Sequence, residues 1–501
     1  MKTRKRRVVI IGGGPAGLTA ATTCIERGHL VHVLEKDPHY VGGISRTVVW
    51  NGFRFDIGGH RFFSKNKRVV EWWRRRLGKD FIRVQRQSRI YYRRRFYDYP
   101  LKPLQALLNL GLFRSAVCIA SYVKAKFRPI KPERSFADWV TNRFGRALFD
   151  TFFKTYTEKV WGMSCDEISA DWAAQRIKNL SLLNAITTAL GFNRGNITSL
   201  IETFEYPRLG PGQMWEKTRD DILAAGGLVT MGSNVVSIET SGERVTAVVA
   251  VDERGQRNRV EGDEFIISMP LRDCAQALYP KAPPNVLRAA NSLKYRDFIT
   301  VAVILDEPDL FSDNWIYIHD PTVKVGRIQN FNNWSKDLVP LKGATCLGLE
   351  YFCFEGDDLW TLPDCKLLEL AKTELKALGL IGDAHVMDGC VVRTEKAYPV
   401  YDEQYQDNVR TIVDYLSRFS NLQVAGRNGM HKYNNQDHSM MTAMIAAENI
   451  GAPLRSSPWG VNADAIYHEE GVSIPEGRMV PRPIRRPSIQ IAATHAPSST
   501  R

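Results

Sequence analysis

Three glycines with the spacing G-x-G-x-x-G, Gly12, Gly14 and Gly17, lie in Arg7-Val-Val-Ile-Ile-Gly-Gly-Gly-Pro-Ala-Gly-Leu18. This spacing suits phosphate chemistry. Glycines permit a tight turn and close backbone approach to a pyrophosphate, and the helix that begins at Pro15 and Ala16 offers unpaired N–H groups at its N-terminus. Glu35 ends a second apolar run 18 residues after Gly17, with Lys36 behind it. A carboxylate there accepts ribose hydroxyls and disfavours a 2′-phosphate. Two more glycine pairs follow, in Val41-Gly-Gly-Ile-Ser-Arg46 and Phe55-Asp-Ile-Gly-Gly-His60. They put bare backbone beside Ser45 and Arg46, and beside His60. For His60 the choice is between a ring facing a ligand and a ring that merely packs.

Arginines also occur far along the chain, among them Arg176, Arg327 in Gly-Arg-Ile-Gln-Asn-Phe, and Arg427 within Gly426-Arg-Asn-Gly-Met-His-Lys-Tyr-Asn-Asn-Gln-Asp-His-Ser439. Arg327 stands in an apolar strand, where an unpaired charge facing a sheet core is costly. Arg176 reads equally well as a surface arginine on a helix.

Periodicity supplies the elements that position these groups. Val8 to Ile11 is a short apolar run of the buried parallel type, so strand, helix and strand form a βαβ nucleotide unit. Helical patterns run from Lys67 to Leu77, Asp364 to Leu378 and Ser439 to Ile450, and Ser135 is an expected N-cap. A basic, strand-like ribbon covers Phe81 to Phe96, and residues 101–200 are expected to be mostly helical. Strand patterns follow at Leu228 to Met231, in a hairpin from Asn234 to Ala250 turning at Ser241-Gly242, and at Phe265 to Pro270. Further patterns occur at 298–305, 315–318, 324–331, 345–354 and from Leu422. The fold class is α/β, with an inserted helical lobe and a second, mixed or antiparallel sheet. The expected nucleotide-binding domain comprises 1–70, 212–291 and 415–455. The lobe is 71–211, the second sheet domain 292–414, and the tail 456–501.

The chain has 501 residues, 44% of them hydrophobic, and a net charge of +14, which favours an anionic partner. Arg74-Arg-Arg76 and Arg93-Arg-Arg95 lie near Trp72, Trp73, Tyr91 and Tyr92, but no nucleic-acid module accompanies them and none is expected as a partner. Eight scattered cysteines without a C-x-x-C pair fit reduced thiols and no metal site. The basic N-terminus runs straight into the first strand with no signal-peptide pattern. Leu101 to Phe127 reads as one or two amphipathic helices, capping the substrate lobe or, alternatively, touching an acidic bilayer. A cytoplasmic homo-oligomer, with membrane association through this segment left open, is the working expectation.

The second glycine pair followed by a small residue and an arginine resembles the FAD-binding proteins of the amine oxidase, protoporphyrinogen oxidase and UDP-galactopyranose mutase superfamily, the GR2-type flavoproteins. Phe152-Phe-Lys-Thr-Tyr-Thr-Glu-Lys-Val-Trp-Gly162, Leu209-Gly-Pro-Gly-Gln-Met-Trp215 and the 426–439 segment are similar to stretches of the mutases. The resemblance runs through most of residues 6–452. It implies that FAD is held by Gly12, Gly14, Pro15, Ala16, Gly17, Glu35 and Lys36, by Gly42, Gly43, Ser45, Arg46, Gly58, Gly59 and His60, and by Val235, Gly426, Arg427, Gln436, Asp437 and Ser439. It also implies substrate contacts from Trp161, Arg176, Arg327, Tyr398 and Tyr433, with His60, Arg327 and Arg427 catalytic. Mutases of this kind interconvert pyranose and furanose forms of a nucleotide sugar through N5 of reduced flavin with no net redox, in glycan or glycosylated metabolite synthesis. NAD(P)H is the implied reductant. The segment from Ala185 to Glu202, Asn428 and His431 depart from the mutase pattern. The alternative the superfamily allows is an FAD-dependent oxidoreductase taking hydride from an amine, porphyrinogen or polyene, for which Lys294 in Ser-Leu-Lys-Tyr-Arg would be the counterpart of the amine oxidase lysine.

Overall fold

The computed structural model describes residues 4–99, 101, 103–170 and 202–461. Arg176, residues 185–201 of the segment that departs from the mutases and most of the tail lie outside them. At the centre is a five-stranded parallel sheet in the order Leu422–Val424, Glu264–Ile267, Arg7–Ile11, Leu30–Leu34 and Leu228–Thr230. Its strands read as unbroken apolar runs because both faces are covered. Helices Pro15–Glu26, Gly212–Ala224 and Gln436–Glu448 bury one face around Ile10, Val33, Trp215 and Met440. On the other face Ile11, Phe265 and Ile267 meet the antiparallel strands Asn234–Ser241 and Arg244–Val251 and helix Tyr405–Leu416.

The second large sheet has seven strands, in the order Val386–Pro399, Tyr295–Leu305, Thr345–Cys353, Arg327–Asn330, Trp315–Ile318, Ser88–Tyr92 and Arg95–Asp98. All neighbours are antiparallel except the pair Trp315–Ile318 with Ser88–Tyr92. Helix Asp364–Leu378 covers one face, and Phe55, Phe331 and Trp334 pack on the other. The basic ribbon is divided between two sheets: Phe81–Gln85 pairs with Thr203–Pro207, whereas the hairpin at 88–98 extends the seven-stranded sheet. The chain between 71 and 211 therefore adds two strands to the seven-stranded sheet and makes a separate two-stranded sheet, as well as forming helices.

The helical part of the lobe includes Leu112–Phe127 and Phe136–Phe144, the latter started by a capping box between Ser135 and Asp138. A π-helical segment, Phe149–Lys154, leads into the short helix Thr155–Trp161. Lys159 donates to the carbonyls of Asp320, Ile318 and Val325, and Arg296 to those of Val160, Lys159 and Phe352. These two cations bind the lobe to the seven-stranded sheet. Among the described residues no helix is long and apolar enough to cross a membrane. All eight cysteines are free, and Cys365 alone is exposed.

Candidate functional site

The glycine turn is built for close approach. Gly12 has φ +99°, and a Cβ added at Gly17 would lie 1.8 Å from the Gly12 carbonyl oxygen, so helix and strand cannot take a side chain there. Gly14 caps the helix and faces the Gly42-Gly43 loop, with a hypothetical Cβ still 3.9 Å from Gly43. Their bare backbones form a cradle with Gly426 on a third side, where an added Cβ would strike Ala16. Glu35 is buried and accepts from the Gly13 and Asp37 N–H groups, and burial pushes its carboxyl above the usual range. Val235 packs with Ile11 and Leu34 beneath it. Gln436 and Asp437 open the helix Gln436–Glu448, and Ser439 stands in its first turn. Oε1 of Gln436 is buried without a hydrogen-bond partner among the described residues, and burial drives the Asp437 carboxyl up to about 7. Arg46 forms an ion pair with Asp37 and keeps a buried Nε without a partner among the described residues. A cradle with unspent polar atoms fits the dinucleotide that the sequence implies.

Beyond the turn, the loop after Phe53–Asp56 carries His60 to the second sheet. Its Nε2 donates to the Ile57 carbonyl at 2.7 Å, and the ring also meets the backbone of Ile44, tying the two glycine loops together. Burial, with Arg427 and Arg327 adding repulsion, pulls its pKa down to about 4, so the ring is neutral at physiological pH. Arg327 donates through Nε and Nη2 to Glu350 at 2.9 and 2.5 Å, and Gln329 donates to the same carboxylate at 2.6 Å. Nη1 of Arg327 is directed to Gly59. Tyr398 and Tyr433 stack at 5.5 Å and 14°, with the Arg427 guanidinium 5.4 and 4.7 Å from their centroids. Trp161 closes on both rings at 6.3 and 6.4 Å.

His60, Trp161, Arg327, Tyr398, Arg427 and Tyr433 are thus gathered in one place. Two predicted or weighed residues are elsewhere: Lys36 points outward to Glu395, and Lys294 pairs with Asp402 while 63% exposed. The site also contains residues that sequence pattern does not single out. Tyr156, in the 152–162 segment, stacks on His319 at 4.8 Å and meets Tyr317, which stands opposite Arg327 in register. Arg61 and Arg86 approach opposite parts of the same neighbourhood, 6.0 and 5.6 Å from the Trp315 ring. Nε and Nη2 of Arg86 are buried without hydrogen-bond partners among the described residues. The adjacent His60-Arg61 pair was the available signal for Arg61. A cavity of about 1180 Å³ adjoins the assembly through Gly162 and Val400, with Arg272, Lys294, Tyr295 and Asp297 also in its wall.

Residues 10–76 match the family model described as an NAD(P)-binding Rossmann-like domain. An uncharacterized protein in the nifH2 3′ region of Methanothermococcus thermolithotrophicus is 44% identical over 60 residues, 12% of this chain. The chain spans only 57% of that relative's length. Among solved structures it resembles reduced UDP-galactopyranose mutase, with 23% identity and a TM-score of 0.77 over 89% of this chain and 94% of that one. It also resembles a provisionally named protoporphyrinogen oxidase from Exiguobacterium sp. 255-15, with 16% identity and a TM-score of 0.68 over 90% and 99% of the two chains. The fold is the one these structures share: a Rossmann-like nucleotide-binding unit joined to a mixed α/β body with several sheets.

Proposed function

We propose that this chain is an FAD-dependent enzyme acting on a nucleotide-linked sugar, with pyranose–furanose isomerisation or closely related chemistry as its reaction. The observation that carries this reading is the convergence of Arg327, Arg427 and the Tyr398–Tyr433 stack on a neutral His60, beside the glycine cradle. An apolar hydride donor calls for no such cations, and Lys294, the counterpart of the amine oxidase lysine under the oxidoreductase reading, is exposed and pairs with Asp402.

Gly12, Gly14, Gly17, Gly42, Gly43 and Gly426 would hold the FAD diphosphate and Glu35 its ribose. When bound, FAD supplies a flavin N5 that serves as a nucleophile when reduced. The protein's own groups do the remainder. Arg327 and Arg427 stabilise negative charge developing on a departing diphosphate, the more so because the surrounding rings exclude water. Glu350 fixes the Arg327 fork from behind. His60 stays uncharged between two guanidiniums, so it hydrogen-bonds without adding a third positive charge.

The purified protein is expected to be yellow. A panel of nucleotide sugars is expected to isomerise only after reduction with dithionite or NAD(P)H, with no net change in flavin redox state. A yellow protein that is bleached by an amine or polyene and restored by oxygen, while inert to every nucleotide sugar, would overturn the reading.

A further inference from the structure

Helix Leu112–Phe127 is inverted with respect to an ordinary surface helix. Its inward side chains are Ser115, Cys118, Tyr122 and Ala125. Outward it presents Leu112, Phe113, Ala116, Val117, Ile119, Ala120, Val123 and Phe127. At 100° per residue these eight cover an arc of about 160°. Leu112 is 92% exposed, and Phe113 and Phe127 are each 82% exposed. The preceding helix, Pro103–Leu110, adds Leu108 at 69%. Single exposed leucines are ordinary, but a continuous aromatic-tipped face marks an interaction surface.

The borders of this face are basic. Lys124, Lys126 and Arg128 are exposed at the C-terminal end, and Lys131 follows. On the neighbouring side stands the turn between Ser88–Tyr92 and Arg95–Asp98. Arg95 donates to the Asn109 carbonyl and Asn109 to that of Phe96, which fastens the turn to the apolar helices. The turn residues Arg93 and Arg94 both have positive φ, 49° and 58°, and are exposed. Apolar side chains within a collar of cations, on a chain of net charge +14, match the two layers of an anionic membrane surface: acyl chains beneath, phosphates above. A water-soluble protein partner would have to supply a matching acidic rim around an apolar groove, whereas a bilayer presents both at once.

We propose that this face docks peripherally on an anionic lipid bilayer, with Phe113, Phe127 and their neighbours inserted at the headgroup boundary and Arg93, Arg94, Lys124 and Lys126 on lipid phosphates. The lobe that carries the face also carries Tyr156 and Trp161, so docking would hold the site at the membrane plane.

The test is co-sedimentation of the full-length protein with vesicles of phosphatidylcholine alone and of equal parts phosphatidylcholine and phosphatidylglycerol. Binding to the anionic vesicles is expected, falling with added salt. Phe113→Asp/Phe127→Asp should weaken it by more than about tenfold, and Arg93→Glu/Arg94→Glu should reduce its salt dependence and lower its affinity. Circular dichroism and flavin content of both variants should match the parent. Absence of binding to either vesicle overturns the proposal. So does binding that the Phe113→Asp/Phe127→Asp variant retains. A third contrary outcome is a dimer in sedimentation equilibrium that this variant converts to monomer while no vesicle binds, which would assign the face to a second copy of the chain.

Discussion

Arg327 is more constrained than a ligand-binding arginine needs to be. Its partner Glu350 has a fully buried side chain, so removal of the guanidinium leaves an uncompensated carboxylate in a sheet core. Arg327→Ala is therefore expected to destabilise the fold by about 3–5 kcal/mol in addition to abolishing binding of nucleotide sugars. Arg327→Ala/Glu350→Gln should recover most of the stability, measured by urea unfolding, and none of the affinity; recovered affinity would strip Arg327 of its assigned role. Gly14 offers the complementary experiment. A Cβ there meets nothing closer than 3.9 Å, so Gly14→Val should fold with a near-parental Tm yet come off the column colourless. Retained flavin would contradict the cradle. The sequence revealed Arg327 as a charge in an apolar strand, but not Glu350. That partner is 23 residues away and reaches it only through strand register. Arg61 and Arg86 were illegible for a similar reason, since Trp315 brings them together from two separate loops.

At the scale of elements, local periodicity was readable wherever the determining contacts are local. Helices Lys67–Leu77 and Asp364–Leu378 and strand Trp315–Ile318 have the bounds that their apolar spacing indicates. The ribbon at 81–96 read correctly as strand, yet its division between two sheets depends on partners at 203–207 and 315–318, which no local pattern names. Between lobe and sheet the attachment is made of carbonyls and two long cations. Arg296→Lys cannot span the acceptors on Val160, Lys159 and Phe352 at once. We expect a loss of about 1–3 kcal/mol and a raised KM, because Trp161 directly follows Val160 in this anchor, with FAD binding unchanged. A KM equal to the parent's would show that the lobe is positioned by other contacts.

Across the whole molecule, three buried histidines share one electrostatic consequence. Burial lowers the pKa of His60 to about 4, His319 to about 3 and His431 to about 4. A folded-state value below the unfolded 6.5 means that the unfolded chain takes up protons that the native chain refuses. The stability these rings contribute is complete above pH 6.5 and is lost as the pH falls towards 3–4, each ring adding a slope of about 1.4 kcal/mol per pH unit within that window. His319→Gln should flatten the acid limb of stability against pH by one such increment, read from urea unfolding at successive pH values. An unaltered limb would show that His319 titrates normally.

The order of the parallel sheet also bears on how the protein is made. Its middle strand is Arg7–Ile11 and an edge strand is Leu422–Val424, with Gly426 and helix Gln436–Glu448 closing over the glycine turn. At ~10 residues per second the turn leaves the ribosome roughly forty seconds before the segment that completes it. The nucleotide cradle is thus begun early and finished only when residues 426–448 have been made. Capture of the FAD proposed above therefore waits for that segment, and until then the apolar edge of the early strands lacks the cover that the finished fold gives it.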